Sequence, residues 1–178
     1  MDLFDYMREN ALRQEAPLAV RMRPQSLEEI AGQAHILGKD KLLYRAVKAD
    51  AVGSMILYGP PGCGKTTIAE VISRETQSDF CRLNATTAGK KEMEEVIQRA
   101  KENFGRGRRT TLFVDEIHRF HKGQQDFLLP YVEDGTIALI GATTENPFFE
   151  VNAALLSRSR IFELKPLVAA DIAALLRR

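Results

Sequence analysis

Short apolar runs alternate with amphipathic stretches through most of this chain, beginning at "SMILYG" (54–59) and ending at "RIFEL" (160–164). "FCRLNA", "TTLFVDE" and "TIALIGAT" lie between them, and each run has the length and composition of a buried strand. The intervening segments carry helical periodicity. "KTTIAEVISRE" follows the first strand, and residues 89–104 place Met93, Val96, Ile97, Ala100 and Phe104 on one stripe. "GQQDFLLPYVED" and "NAALLSR" supply two more helices. Strands apolar on both faces, separated by helices, predict an α/β fold with a parallel five-stranded sheet covered on both sides. In such sheets ligands sit beyond the carboxyl ends of the strands, here after Tyr58, Asn84, Val114 and Ala142.

The ends of the chain read differently. Residues 1–37 have Pro17 and Pro24 as breakers and read as an arm, with Ser26 and Glu29 spaced as a capping box. "GKDKLLYRAVKADAVG" then places Leu42, Leu43, Ala46, Val47 and Ala49 at roughly helical spacing and opens a core over 38–166. The final "PLVAADIAALLRR" begins a helix that needs something further to pack against, so a longer parent protein is expected.

Composition narrows the class. At 178 residues, 44% hydrophobic and 28% charged, the chain fits one globular domain, and a formal charge of +1 gives no global attraction to nucleic acid or acidic membranes. No segment has the roughly 18 consecutive apolar residues of a membrane span, and "MDLFDYMREN" does not read as a signal peptide. Cys63 and Cys81 form neither a disulfide framework nor a metal-ligand spacing, which is compatible with a reduced cytoplasmic compartment.

The chemistry concentrates in two places. "GPPGCGKTT" fits G-x-x-x-x-G-K-[ST] between a strand and a helix, the context in which that pattern cradles phosphates. Gly59, Gly62 and Gly64 free the backbone amides of a loop that also contains Pro60, Pro61, Cys63 and Thr67. The next helix turns its positive N-terminal end to the anion. Lys65 is placed for the β- and γ-phosphates of ATP and the Thr66 hydroxyl for Mg²⁺. The Cys63 thiol reads as a small side chain at a tolerant position, with modification that blocks nucleotide binding as the sharper alternative.

"TLFVDEIH" brings Asp115 and Glu116 to the end of an apolar strand. Asp115 is suited to hold Mg²⁺ through its water shell, and Glu116 to orient and deprotonate an attacking water. Thr144, with Thr143 and Asn146 as alternatives, is placed to hydrogen-bond that water or the γ-phosphate. His118 and His121 lack a third ligand and read as structural. "GRGRR" (105–109) and "AGKK" (88–91) are basic loops, more simply solvated than bound to DNA.

These motifs, with "PLAVRMRP", "GQAHILG" and the long run from "LFVDEIHRF" to "NAALLSR", resemble the AAA+ ATPases. Within them the chain is similar to the clamp-loader-like branch and the replication-associated recombination protein A family. The resemblance implies a five-stranded AAA+ core with Thr144 as first sensor and Arg158 as arginine finger. It also implies an adenine site at Arg23, Pro24, Ile30, Ala31 and Gly32, and a helical lid beginning at 167–178. It further implies a cytoplasmic, nucleoid-associated, DNA-dependent ATPase acting at stalled forks on single-stranded, gapped or fork-like DNA. Single-strand-binding protein would be a partner, and the full-length protein a homo-oligomer, a tetramer in bacteria. His121 stands where that family is expected to carry asparagine. A clamp-loader subunit or a branch-migration motor would share the same core. A nucleotide-dependent interaction module without turnover is the alternative from another class.

Overall fold

The computed structural model describes residues 16–177. The chain runs α1 (Leu18–Arg21), a 3₁₀ turn (Leu27–Glu29), α2 (Ala34–Leu37), α3 (Leu42–Lys48), β1 (Met55–Tyr58), α4 (Lys65–Glu75) and β2 (Asp79–Asn84). It continues through α5 (Lys90–Gly105), β3 (Thr110–Asp115), a second 3₁₀ turn (Ile117–Arg119), α6 (Lys122–Glu133) and β4 (Ala138–Thr143). The last elements are α7 (Pro147–Glu150), α8 (Ala153–Ser157), β5 (Arg160–Glu163) and α9 (Ala169–Leu176). All five strands pair in parallel in the order β2-β3-β4-β1-β5. The predicted α/β class and the position of every predicted strand are found.

Side-chain alternation splits the sheet into two cores. Ile56, Leu112, Val114 and Leu139 face Met93, Ile97 and Ala100 of α5, Leu128 of α6 and Leu155 of α8. Met55, Leu57, Phe113, Ile140 and Ala142 face α3 and α4, including Val47, Ile68 and Ile72. Each fully buried Leu or Ile contributes about 1.5–3 kcal/mol relative to exposure. The two-sided burial explains why these strands read as continuous apolar runs. Leu27 and Leu37, from the segment before residue 38, are 2% and 8% exposed and belong to the second core.

Two local expectations are corrected. Ser26 makes no side-chain capping bond; the Leu27 amide donates instead to Glu75 Oε1 on α4 at 3.0 Å, and the Glu29 carboxylate accepts from Gln25 N. A long-range partner supplies what the local cap was expected to supply. Phe104, placed on the buried stripe of α5, is 56% exposed. It lies in the last turn of the helix, and Asn103 reaches inward in its place.

That inward contact is a polar clamp. The Asp79 carboxylate accepts two hydrogen bonds from the Arg99 guanidinium, both 2.6 Å, and one from Asn103 Nδ2 at 2.8 Å. Asn103 Nδ2 also lies 2.9 Å from Thr110 Oγ1, so α5 is tied to the starts of β2 and β3. Burial raises the Asp79 pKa, but the Arg99 and Asn103 hydrogen bonds outweigh it and the net shift is downward. A lowered folded-state pKa means stability that is present above the ordinary Asp range, about 4, and lost as pH falls through the lowered value. Asp79→Asn is therefore expected to lower the unfolding midpoint at pH 7, with the deficit shrinking toward pH 2. Urea unfolding at both pH values checks this; an equal deficit at both would remove the ionic contribution.

Candidate nucleotide site

β3, β4 and β1 are neighbours in the sheet, so the loops after them converge. β1 delivers the glycine loop, β3 delivers Asp115 and Glu116, and β4 ends at Thr143, with Thr144 directly after it. Together they enclose a cavity of about 400 Å³ lined by Pro61, Gly62, Gly64, Lys65, Thr66, Thr67, Asp115, Glu116, Thr143 and Thr144.

The glycines act for different reasons. Gly62 (φ +75°) and Gly64 (φ +101°) occupy left-handed conformations, and Gly64 precedes the first turn of α4. Gly59 is needed for close approach: a Cβ there would lie 2.6 Å from the Leu164 carbonyl oxygen. Gly59 and Pro60 do not line the cavity. Their carbonyls instead accept hydrogen bonds from Lys65 Nζ, both at 2.8 Å, which holds the ammonium over the loop. Cys63 is 2% exposed and packs into the second core. That burial shields the thiol and favours the reading as a small side chain.

Asp115 and Glu116 are adjacent and both line the cavity, and Glu116, left-handed at φ +52°, turns the chain directly after β3. Asp115 accepts an ion-paired hydrogen bond from Arg82 of β2 at 3.2 Å. Glu116 lies 4.0 Å from Arg119 in the following turn. Thr143 Oγ1 is 2.8 Å from His118 Nδ1 and accepts from Glu145 N at 3.0 Å, so its hydroxyl organises the surrounding turns. Thr144 is exposed on the cavity wall. Asn146 caps α7 by accepting from Phe148 N and does not line the cavity.

A second cavity, about 470 Å³, shares Gly62, Gly64 and Thr67 with the first. It contains four of the five residues expected at the adenine side: Arg23, Pro24, Ile30 and Ala31. Apolar side chains of α1 and α9, among them Leu18, Ile172 and Leu176, complete it. Gly32 stands behind the wall with φ +79°, and a Cβ there would meet Leu167 at 2.5 Å. One polar cavity and one apolar cavity, joined along a glycine loop, match the two ends of a nucleoside triphosphate.

Other expected residues fall outside. Arg158 caps the end of α8 and does not line either cavity. Its guanidinium pairs with Glu133 Oε1 at 2.6 Å and donates to Ala154 O and Ser157 Oγ, both at 3.0 Å. In the "GRGRR" loop, Arg109 is tied to Asp50 and to the Thr76 carbonyl while its side chain stays about half exposed. That loop precedes β3 and therefore lies at the opposite end of the parallel sheet from the site. Arg82 and Gln33 were not singled out from sequence. Arg82 becomes visible only once β2 is known to pair with β3, placing it beside Asp115.

The family model "ATPase family associated with various cellular activities (AAA)" matches residues 55–167, and the chain belongs to that family. Within it, the chain is 58% identical over 156 residues to replication-associated recombination protein A of Escherichia coli K12, covering 88% of this chain and 35% of that protein. It is 51% identical over 162 residues to the Bacillus subtilis protein of the same name, covering 91% and 38%. The chain thus spans little more than a third of the relatives' length. Among solved structures, the Thermotoga maritima RuvB Holliday junction branch migration motor superposes with a TM-score of 0.68 at 29% identity, covering 88% of this chain and 53% of that one. Among the described residues no helix is long and apolar enough to cross a membrane.

His121 is held by a local capping arrangement. Its Nδ1 accepts from Gln124 N at 3.2 Å, while Gln124 Oε1 accepts from His121 N at 3.1 Å, closing a capping box on α6. Asparagine offers the same acceptor at the same position. His121→Asn should leave the melting temperature unchanged or raise it. His121→Ala should lower it by about 2–4 °C, the equivalent of roughly 1 kcal/mol of cap. Differential scanning calorimetry of the two variants checks the pair; an alanine variant as stable as wild type would exclude a capping role.

Proposed function

We propose that this chain is the ATP-binding and ATP-hydrolysing core of a DNA-dependent ATPase that acts in replication-fork maintenance and recombination. The observation that carries the reading is the junction of the two cavities along the glycine loop. It allows a base to lie against Ile30 and Ala31 while the phosphates lie over Gly62, Gly64 and Lys65. The hydroxyl of Thr66 and the carboxylate of Asp115 share the phosphate cavity, and this hard oxygen donor set suits Mg²⁺. Thr66 and Asp115 would hold the ion, which would supply positive charge to offset that of the phosphates.

Within that arrangement Lys65 neutralises the terminal phosphates, and Glu116 orients the attacking water and accepts its proton. Thr144 holds that water or a γ-phosphate oxygen. The sheet order supports these roles, because Thr144 follows β4, the strand next to β1 and its glycine loop, and the acids follow β3, one strand further on. Arg158 does not line its own phosphate cavity and would act on the γ-phosphate of a neighbouring copy, which fits a homo-oligomer, a tetramer in the full-length protein. Single-strand-binding protein and single-stranded, gapped or fork-like DNA are the partners that the similarity to replication-associated recombination protein A favours. A branch-migration motor is the second reading, favoured by the likeness to RuvB. Stimulation of ATPase by four-way junctions over gapped or forked DNA would select it.

Glu116→Gln in the full-length protein is expected to keep ATP binding and to lower phosphate release by about 100-fold or more, the usual range for loss of a positioned base. Equal rates would overturn the assignment of Glu116. Arg158→Ala is expected to leave ATP affinity of the isolated chain unchanged. Turnover should fall by about 10³-fold only in the assembled oligomer, read by titration calorimetry and steady-state phosphate release. Weakened binding in the isolated chain would make Arg158 structural.

A further inference from the structure

Gln33 is a polar side chain 1% exposed, and its amide is fully engaged. Nε2 donates to the Cys63 carbonyl at 3.1 Å and the Lys165 carbonyl at 2.9 Å, and Oε1 accepts from Lys165 N at 3.0 Å. The side chain thus pairs with both backbone groups of one residue, as a neighbouring strand would, and reaches a second loop with its remaining hydrogen. Burying an amide is unfavourable unless such partners are all present.

The three anchored segments are the walls of the two cavities. Cys63 belongs to the glycine loop. Lys165 lies where the chain leaves β5 toward α9, whose Ile172, Leu175 and Leu176 line the apolar cavity. Gln33 itself follows Ile30 and Ala31 on the opposite wall of that cavity. Two further contacts reinforce the arrangement. Gly32 sits so close to Leu167 and Asp171 that a Cβ would lie 2.5 Å and 2.8 Å from them. His35 Nε2 lies 2.7 Å from the Glu163 carbonyl, tying the same segment to the end of β5.

We propose that Gln33 is a positioning residue that sets the apolar, base-binding walls at a fixed distance from the phosphate loop. The inference rests on the nucleotide-site reading above and extends it to the coupling between the two cavities. A ligand that spans both cavities gains from their being held in register, since the second contact is then intramolecular. A ligand that fills only the phosphate cavity gains nothing. Gln33 therefore governs the advantage of ATP over a bare triphosphate.

Two variants test this by titration calorimetry with Mg²⁺-ATP and Mg²⁺-tripolyphosphate, with thermal unfolding recorded alongside. Gln33→Leu removes all three bonds and risks the fold. Lys165→Pro replaces the amide hydrogen accepted by Gln33 Oε1 with a ring methylene, so the Gln33 side chain must withdraw from position 165 while residue 33 itself is unchanged; the new residue precedes an existing proline, Pro166. Lys165→Pro is expected to weaken ATP by about fivefold or more, in line with loss of at least one buried hydrogen bond, and tripolyphosphate by less than about twofold. A folded Gln33→Leu is expected to show a larger version of the same split. ATP affinity within twofold of wild type in Lys165→Pro would overturn the proposal, as would equal losses for both ligands, which would assign the effect to the phosphate loop alone. A wild-type chain that binds neither ligand would overturn the nucleotide-site reading and this inference together. A wild type that binds both beside unaffected variants would overturn the inference alone.

Discussion

The register of β1 between β4 and β5 is the constraint on which the rest of the molecule depends. Tyr58 stands opposite Thr143 on one side and Glu163 on the other. The ladder runs one step further, with Gly59 N donating to the Thr143 carbonyl at 3.1 Å and Leu164 N to the Tyr58 carbonyl at 2.8 Å. In a strand buried on one face, hydrophobic alternation penalises a one-residue slip. β1 is buried on both faces, so alternation discriminates weakly. The close approach of Gly59 to the Leu164 carbonyl does discriminate, because no other residue of "MILYG" lacks a Cβ. A residue of the phosphate motif therefore also acts as the register mark of the sheet.

From that register the site follows. With β4 inserted between β3 and β1, the acids arrive on one flank of the glycine loop and the threonines between them. The left-handed Glu116 costs about 1–2 kcal/mol in local strain. Thr143 compensates structurally by holding His118 of the turn that follows Glu116, so the end of β4 fixes the turn after β3. Glu116 is thus positioned by its neighbour strand as well as by its own.

What could be read from the sequence was what depends on local pattern. Strand positions, the glycine loop and the acidic pair are each written in a few consecutive residues, and they lie where they were expected. What could not be read depends on partners far along the chain. Gln33 and Lys165 are 132 residues apart, and nothing near Gln33 marks it as buried. Arg109 sits among like charges in "GRGRR", and only the fold brings Asp50 and the Thr76 carbonyl to it, with its side chain still about half exposed. Ser26 failed in the opposite direction, since its local capping pattern was displaced by Glu75 from another helix. Periodicity reports which face of an element is buried, and is silent on which polar group across the core will claim a backbone amide.

The same distinction bears on Arg158. Leu155 is wholly buried and anchors α8 to the first core, so the helix that ends at Arg158 cannot turn freely. Two neutral acceptors on that helix, the Ala154 carbonyl and the Ser157 hydroxyl, set the direction of the guanidinium. The Glu133 carboxylate satisfies its charge while both side chains remain 42% exposed. An ion pair that open contributes about 0–1 kcal/mol, so exchanging Glu133 for a more highly charged phosphoryl group costs little. The neutral bonds that aim the side chain need not break for that exchange. In the proposed role across a subunit boundary, this combination suits an arginine finger: fixed in direction by its own backbone, and held by a carboxylate weak enough to yield.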